Sequence, residues 1–340
     1  MSNPVAEATG PVLVLGAAGT GKTTLLVEAV AGRIRAGEAP ALVLALTRQA
    51  ASELRDRIVR AAGRTTLAPQ VMTVHALCLT LMARFADPED AVGGLLTAPE
   101  QEFRIRELLR GSPAGWPEEL DAALGTRAFA QQVRAALARA RQLGLDPGDV
   151  ADAGVTAGEP GWTALGDFMA EYLDVLDAEG VLDYAELVHR ARLLLERPAV
   201  LDAVRADLGA VYVDEWCELD AAQIALVRAL AGDALPVVAL ADPDTAIYRF
   251  RGAHPRAAAE FVRLFDAGAA LGGDRVRVVT LDSAHARPPA HVAACAAVAR
   301  RLGVPALGAD AVADYRGACG AGAGRIDVRP FPDEATPARP

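Results

Sequence analysis

The sequence predicts an α/β protein: a doubly wound parallel sheet with an all-helical insertion. Three observations carry this reading. Apolar runs at Val12-Leu13-Val14-Leu15, Ala41 to Leu46, Val71 to Val74, Val211-Tyr212-Val213 and Pro236 to Ala241 alternate with helix-length segments. Near-continuous apolar runs of this length read as strands buried on both faces. Between about Ala86 and Gly180 the strand signal fades and amphipathic stretches follow one another, after which the alternation resumes.

Length and composition set the bounds. A chain of 340 residues with 52% hydrophobic content can bury a large core in about two or three domains. The longest stretch without formal charge, Thr65 to Ala83, contains Pro69, Gln70 and His75 and reads as turn, strand and helix start, so no membrane partner is expected. The N-terminus has neither a basic segment nor an apolar signal core. Cys78, Cys217, Cys295 and Cys319 lack metal-type or redox spacing, as expected of thiols in a reducing cytoplasm. Net charge is −10, but unevenly spread: +4 over residues 1–85, −12 over 86–210 and −2 over 211–340. A local basic block can still steer a polyanion.

The first element is a strand, Val12 to Leu15, followed by Gly16-Ala17-Ala18-Gly19-Thr20-Gly21-Lys22-Thr23-Thr24 and an amphipathic helix, Leu25 to Ile34. Strand, Gly-x4-Gly-Lys-Thr and helix together make a phosphate-binding loop of the P-loop NTPase kind, where a bare glycine-rich turn would lack that context. Its backbone N–H groups turn inward on phosphate oxygens at the positive end of a helix dipole. Lys22 reaches the β- and γ-phosphates of a nucleoside triphosphate and the Thr23 hydroxyl binds Mg²⁺. Lys22 is the only lysine in a chain whose other basic side chains are arginine. The planar arginine fork does not fit a site made for a compact ammonium, so chemistry holds this one lysine in place.

The second strand ends at Leu46, and Thr47 to Arg55 opens a helix of good formers. The third, Val71-Met72-Thr73-Val74, runs into the helix beginning His75-Ala76-Leu77-Cys78. Ligands of such sheets collect at the carboxyl ends of the strands, where Gly16, Thr47 and His75 fall. Glu100 to Leu109, Thr126 to Leu143 and Trp162 to Leu176 read as the helices of the insertion, punctuated by Gly111-Ser112-Pro113, Asp146-Pro147-Gly148 and Gly158 to Gly161. The insertion's acidity suits a solvated face or a partner surface. Val211-Tyr212-Val213 runs straight into Asp214-Glu215, the second half of a nucleotide site: Asp214 holds Mg²⁺ through water and Glu215 deprotonates the attacking water.

The strand Pro236 to Ala241 leads into Asp242-Pro243-Asp244-Thr245-Ala246-Ile247-Tyr248-Arg249-Phe250-Arg251-Gly252-Ala253. Interleaved aromatics and arginines suit single-stranded nucleic acid, with bases on Tyr248 or Phe250 and phosphates on Arg249 and Arg251. A loop whose aromatics fill the core is the other reading. Arg275 to Leu281 reads as a further strand, Pro288 to Leu302 as a helix and Ile326 to Arg329 as a short strand, while Pro332 to Pro340 looks frayed.

Taken in order, these motifs resemble the superfamily 1 helicases of the UvrD/Rep/RecB kind, in particular actinobacterial UvrD-like and AdnAB-type motors. Leu44 to Ile58 resembles motif Ia, Thr73 to Cys78 motif Ib, Val213-Asp214-Glu215-Trp216 motif II and Asp242 to Ala253 motif III. Leu182 to Leu187 resembles the family's Asp-Phe-x-Asp-Leu run, where the chain leaves the helical insertion. The resemblance implies a RecA-like ATP-binding core over 1–85 and 181–275, a helical subdomain over 86–180 and an incomplete second RecA-like core over 276–340. It also implies ATP and Mg²⁺ as cofactors and 3′-to-5′ movement on single-stranded DNA bound by Thr47, Arg48, His75, Tyr248, Phe250 and Arg251. A second motor subunit would supply the missing core.

The departures bear on activity. The family's Gln-Asp after motif II is Cys217-Glu218 here, and Thr245 stands where the family has a γ-phosphate-sensing Gln. Ala284-His285-Ala286-Arg287 stands at motif IV. Its arginine therefore becomes Ala286 unless Arg287 shifts register, and His285 is left to stack on adenine. The adenine-reading Gln upstream of the loop, motif V and motif VI with its arginine finger are absent from the chain. An arginine finger is worth roughly 10³ to 10⁵ in turnover, so slow hydrolysis by this chain alone is expected. Two readings stay open: a DNA helicase ATPase, or a nucleotide- and DNA-binding remnant or subunit without turnover.

Overall fold

The computed structural model describes residues 5–6, 8–63, 69–88, 91–266, 275–285, 287–301, 309–317 and 319–320. The strand expected at Ile326 to Arg329, the tail from Pro332 and position Ala286 lie outside them.

The chain begins with β1 (Val12–Leu15), α1 (Lys22–Ala36), β2 (Ala41–Ala45), α2 (Arg48–Ala62), β3 (Gln70–Thr73) and α3 (Val74–Phe85). A short strand β4 (Gly94–Leu95) opens the insertion. It continues through α4 (Ala98–Leu109), α5 (Asp121–Leu124), α6 (Arg127–Gln142), α7 (Pro147–Ala157) and α8 (Pro160–Glu179) to β5 (Val181–Leu182). Then come α9 (Tyr184–Leu195), α10 (Pro198–Ala206), β6 (Ala210–Val213), α11 (Ala221–Ala231), β7 (Val237–Ala241), α12 (Ala257–Asp266) and β8 (Arg277–Thr280). The last described elements are β9 (Ser283–Ala284), α13 (Pro289–Ala299), α14 (Ala309–Arg316) and β10 (Cys319–Gly320).

Six strands form one sheet in the order β3-β2-β6-β7-β1-β8, every pair parallel. Alternate residues of each strand feed opposite faces, as the pleat demands. Leu13, Leu15, Leu42, Leu44, Val211 and Val213 join the cluster built with α3, α9 and α11, while Val14, Val43, Tyr212 and Leu240 join that of α1 and α2. Apolar residues at both parities are what made these runs continuous in the sequence. β8, which the sequence sets at the start of the second core, pairs with β1 in this sheet, Val12 opposite Arg277. It covers what would otherwise be an open edge of the strand that carries the phosphate loop.

The helices of the insertion pack around their own apolar cluster, centred on Ile105, Leu137, Phe168 and Leu176. α7 is a helix where the sequence suggests only punctuation. Asp146 and Asp149 form a capping box and Pro147 occupies the first turn, so the Asp-Pro pair starts a helix here. α7 and α8 touch backbone to backbone: a Cβ on Gly166 would stand 2.6 Å from the Ala151 nitrogen. The insertion is not helical throughout, because β4 and β5 pair in parallel at its root, Gly94 opposite Val181 and Leu95 opposite Leu182.

Asp183 locks that root. Its Oδ1 accepts from the N–H groups of Ala185 and Glu186, and its Oδ2 from Gln101 at 2.8 Å and Tyr172 at 3.0 Å. One buried carboxylate thus caps α9 and ties down α4 and α8. Asp183→Ala orphans four donors at once and is expected to destabilise the protein by about 2–4 kcal/mol, read as a shift in the urea midpoint. Among the described residues no helix is long and apolar enough to cross a membrane.

Candidate nucleotide and nucleic-acid site

The phosphate loop starts where β1 ends. The Gly16 N–H donates to the Ala241 carbonyl at 3.1 Å, fastening the loop to the end of β7. Gly19 and Gly21 have φ of 87° and 91°, conformations that a side chain would strain. Thr20 is buried and its hydroxyl donates to the Ala17 carbonyl at 2.7 Å, pinning the turn from inside. Lys22 opens α1 and points back under the loop. Its Nζ donates to Gly16 O at 2.6 Å and Ala17 O at 3.3 Å, and pairs with Asp242 Oδ2 at 3.5 Å. Phosphate oxygens could take over the acceptor role of those carbonyls without moving the stem of the lysine. Thr23 is half-buried in the first turn of α1, while the Thr24 hydroxyl accepts from Arg57 of α2 at 3.2 Å.

The acid pair stands at the end of β6, one strand from β7 and two from β1. The Asp214 N–H donates to Leu44 O at 2.9 Å, prolonging the ladder with β2. Its carboxyl is buried and Oδ1 has no hydrogen-bond partner. Burial pushes its pKa up, while the charges of Lys22 and Arg57 pull it back. A buried carboxylate oxygen without a donor is suited to a cation. Asp214, with Thr23 in the first turn of α1, is therefore where Mg²⁺ would be held. When bound, the ion would neutralise charge on the β- and γ-phosphates. No group of three or more His, Cys, Asp or Glu placed to hold a metal ion is found among the described residues, and this kind of site needs none.

Glu215 is the one non-glycine among the described residues with positive φ, at 57°. Such a conformation costs on the order of 1 kcal/mol or more and persists where surrounding structure enforces it. Here Trp216 does so: it is fully buried, its indole N–H donates to Ala257 O at 2.7 Å, and its ring meets Phe261 edge-on at 5.1 Å. Burial first, and the neighbouring charge of Asp214 second, push the Glu215 carboxyl up to about 7. That suits a group that takes a proton from water near neutral pH.

Asp242 completes the cluster, and the sequence reading passed over it as a site residue. The signal was available, since Asp242 ends the apolar run of β7 as Asp214 ends that of β6. It is 3% exposed, with Lys22 on one oxygen and the Tyr315 hydroxyl on the other. Arg316 grips Asp244 through two bonds of 2.9 and 2.7 Å. α14 thereby reaches the rim of the loop, and a cavity of about 400 Å³ is lined by Ala17, Ala18, Thr245, Arg287, Val292 and Tyr315. Nothing in the local sequence marks Tyr315 or Arg316, which are 73 and 72 residues from their partners. His285 lies over the loop: its N–H donates to Gly19 O at 2.9 Å and its exposed ring approaches Gly21.

The residues assigned to DNA fall on the same edge of the sheet in two groups. Thr47 follows β2 and caps α2 by accepting from the Ala50 N–H at 3.1 Å, with Arg48 exposed beside it. His75 lies in the first turn of α3, edge-on to Tyr184 at 5.0 Å, and burial lowers its pKa. The other group follows β7. Phe250 is 78% exposed, which excludes a core role for it, and Tyr248 is half-buried with its ring 6.1 Å away. The Arg251 guanidinium stands 5.1 Å from the Tyr248 ring and 5.5 Å from that of Phe250. Glu218 holds this platform from below, accepting from the N–H groups of Ile247 and Tyr248 at 2.9 Å each.

Comparison with known proteins identifies relatives of the chain. The model of the UvrD/REP helicase N-terminal domain matches residues 1–266. DNA helicase II of Salmonella typhimurium is 30% identical over 260 residues, which cover 73% of this chain and 34% of that protein. ATP-dependent DNA helicase UvrD1 of Mycobacterium tuberculosis is 27% identical over 266 residues, covering 74% and 34%. ATP-dependent DNA helicase PcrA of Staphylococcus aureus is 26% identical over 258 residues, also covering 74% and 34%. The chain thus spans about a third of the length of the curated relatives it matches. With the match running from the phosphate loop through the aromatic platform, the chain belongs to the UvrD/REP helicase family by its N-terminal domain.

Proposed function

We propose that this chain is the ATP-binding part of a UvrD-like motor that moves 3′ to 5′ on single-stranded DNA, and that its own turnover is weak. The observation that carries the reading is the meeting of Lys22, Asp214, Glu215 and Asp242 at the ends of β1, β6 and β7, beside an exposed aromatic platform. Lys22 holds the phosphates, Thr23 and Asp214 hold Mg²⁺, Glu215 takes the proton of the attacking water, and His285 lies where a base could stack. Thr47, Arg48, His75, Tyr248, Phe250 and Arg251 hold the DNA. The core would comprise 1–85 and 181–275 with β8 joined to its sheet, the helical subdomain would comprise 86–180, and the rest of 276–340 would begin a second core that a partner subunit or further chain completes.

A second reading, binding without turnover, is favoured by one observation. The Thr245 hydroxyl turns back to Asp242 O at 3.5 Å, so this position offers no amide to a γ-phosphate. An ATPase assay with and without single-stranded DNA separates the two. The motor reading expects DNA to raise the rate, and a rate indifferent to DNA and no faster than that of Glu215→Gln would leave only binding. DNA binding has its own test. Phe250→Ala should weaken oligo-dT binding by about 1–3 kcal/mol in fluorescence anisotropy while the Mg-ATP dissociation constant stays within about twofold, because the lost contact is one stacked base.

A further inference from the structure

Glu218 lies between the two halves of the site. It closes the short 3₁₀ turn Trp216–Glu218, which begins directly after the strained Glu215. That turn has little freedom, because Trp216 is buried and bonded at its indole nitrogen. From this fixed position Glu218 gives both carboxylate oxygens to the platform, Oε1 to the Ile247 N–H and Oε2 to the Tyr248 N–H. These are the backbone groups that open the turn carrying Tyr248, Phe250 and Arg251.

Two further links run alongside, a His254 N–H bond to Leu219 O at 2.8 Å and a bridge between Asp220 and Ala253. From the other side the insertion bears on the loop through Gln142, whose amide donates to Arg251 O at 3.0 Å. The backbone links hold the far end of the platform whatever side chains are present. At its near end Glu218 holds two successive N–H groups through a charged, two-armed acceptor, and hydrogen bonds to a charged acceptor are stronger than neutral ones. A tilt of the platform when bases stack on it must therefore move Glu218, and through three residues of stiff turn the backbone of Glu215.

We infer that Glu218 is the positioning residue that links occupation of the Tyr248–Phe250–Arg251 platform by single-stranded DNA to the placement of Glu215 at the nucleotide. The inference rests on the proposed function. It also gives a role to a position where the chain departs from its relatives' motif II, glutamate for aspartate. The extra methylene lengthens the reach of the carboxylate, whose two oxygens accept from successive N–H groups.

The test is thermodynamic linkage in the full chain. Oligo-dT affinity is measured by anisotropy with and without a saturating Mg-bound non-hydrolysable ATP analogue, for the parent, Glu218→Gln and Glu218→Asp. Coupling between two sites typically changes affinity about 5- to 150-fold, and the same factor must appear in nucleotide affinity measured with and without DNA. The parent is expected to fall in that range. Glu218→Gln should still bind each ligand alone, which also reports that it is folded, with coupling reduced to about twofold or less, and Glu218→Asp should be intermediate. Equal coupling in the parent and Glu218→Gln overturns the inference, as does a parent that binds both ligands with no coupling. A parent that binds neither overturns the proposed function and this inference with it. If Glu218→Gln binds neither ligand, Glu218→Asp decides by the same ratio.

Discussion

Lys22→Ala is expected to lower turnover by at least about 10²- to 10³-fold and to weaken Mg-ATP binding, measured by steady-state ATPase and by titration of a fluorescent nucleotide. The figure is the loss of one preorganised donor at developing charge. The geometry argues for the upper end. Lys22 is the cation shared by the loop carbonyls and Asp242, and its charge also restrains Asp214. Removing it takes away the phosphate contact and leaves buried acids facing one another. No other lysine exists to substitute, and arginine cannot fold into the same space, so Lys22→Arg should fail nearly as badly. Retained DNA-stimulated turnover in Lys22→Ala would remove the loop from the mechanism.

Glu215→Gln should separate binding from chemistry. Loss of a positioned general base lowers turnover by about 10²- to 10⁴-fold, while Mg-ATP affinity is unchanged or slightly tighter because one negative charge leaves the phosphate side. The pH profile carries the sign. With its carboxyl pushed up to about 7, the parent should gain activity as pH rises through 7, and the residual rate of Glu215→Gln should lack that limb. Stability should run the opposite way. A carboxyl near 7 when folded and 4.5 when unfolded binds more proton in the folded state between those values. Its contribution therefore declines as pH rises from about 4.5 to 7 and is gone above that. Above pH 7, Glu215→Gln is expected to be more stable than the parent by on the order of 1–3 kcal/mol, and the gap should close below pH 4.5. A variant that is inactive and more stable in alkali alone would mark Glu215 as held at a cost to the fold.

The parts of this architecture that rest on local chemistry could be read from the chain. Val12 to Leu15 and Ala210 to Val213 are buried on both faces and so wrote themselves as unbroken apolar runs. Gly16 to Thr24 needs its glycines within nine residues, and Asp214-Glu215 follows its strand directly. What escaped depends on distance or on ambiguity. Asp146-Pro147 opens a turn or a helix with equal ease, and only packing against α8 decides. The sequence sets β8 with the second core, and its place beside β1 has no local mark because pairing is long-range. Asp242 was in view but unremarkable until Lys22 reached it from 220 residues away, and Tyr315 carries no local mark. Glu218 read as a departure from a motif, and its two bonds to Ile247 and Tyr248 show what the longer side chain reaches.

The two-rung ladder of β4 and β5 has a consequence of another kind. The chain leaves for the insertion and returns from it at neighbouring points, Gly93 donating to Gly180 O at 2.8 Å. Ends that close together mean that a different sequence, of almost any length, could be spliced there with little added closure entropy and without cutting a strand of the main sheet. The helical subdomain is in that sense a cassette. Lineages could enlarge, trade or lose it while the phosphate loop and acid turn stayed as they are, provided an acid at position 183 remained to fasten whatever was plugged in.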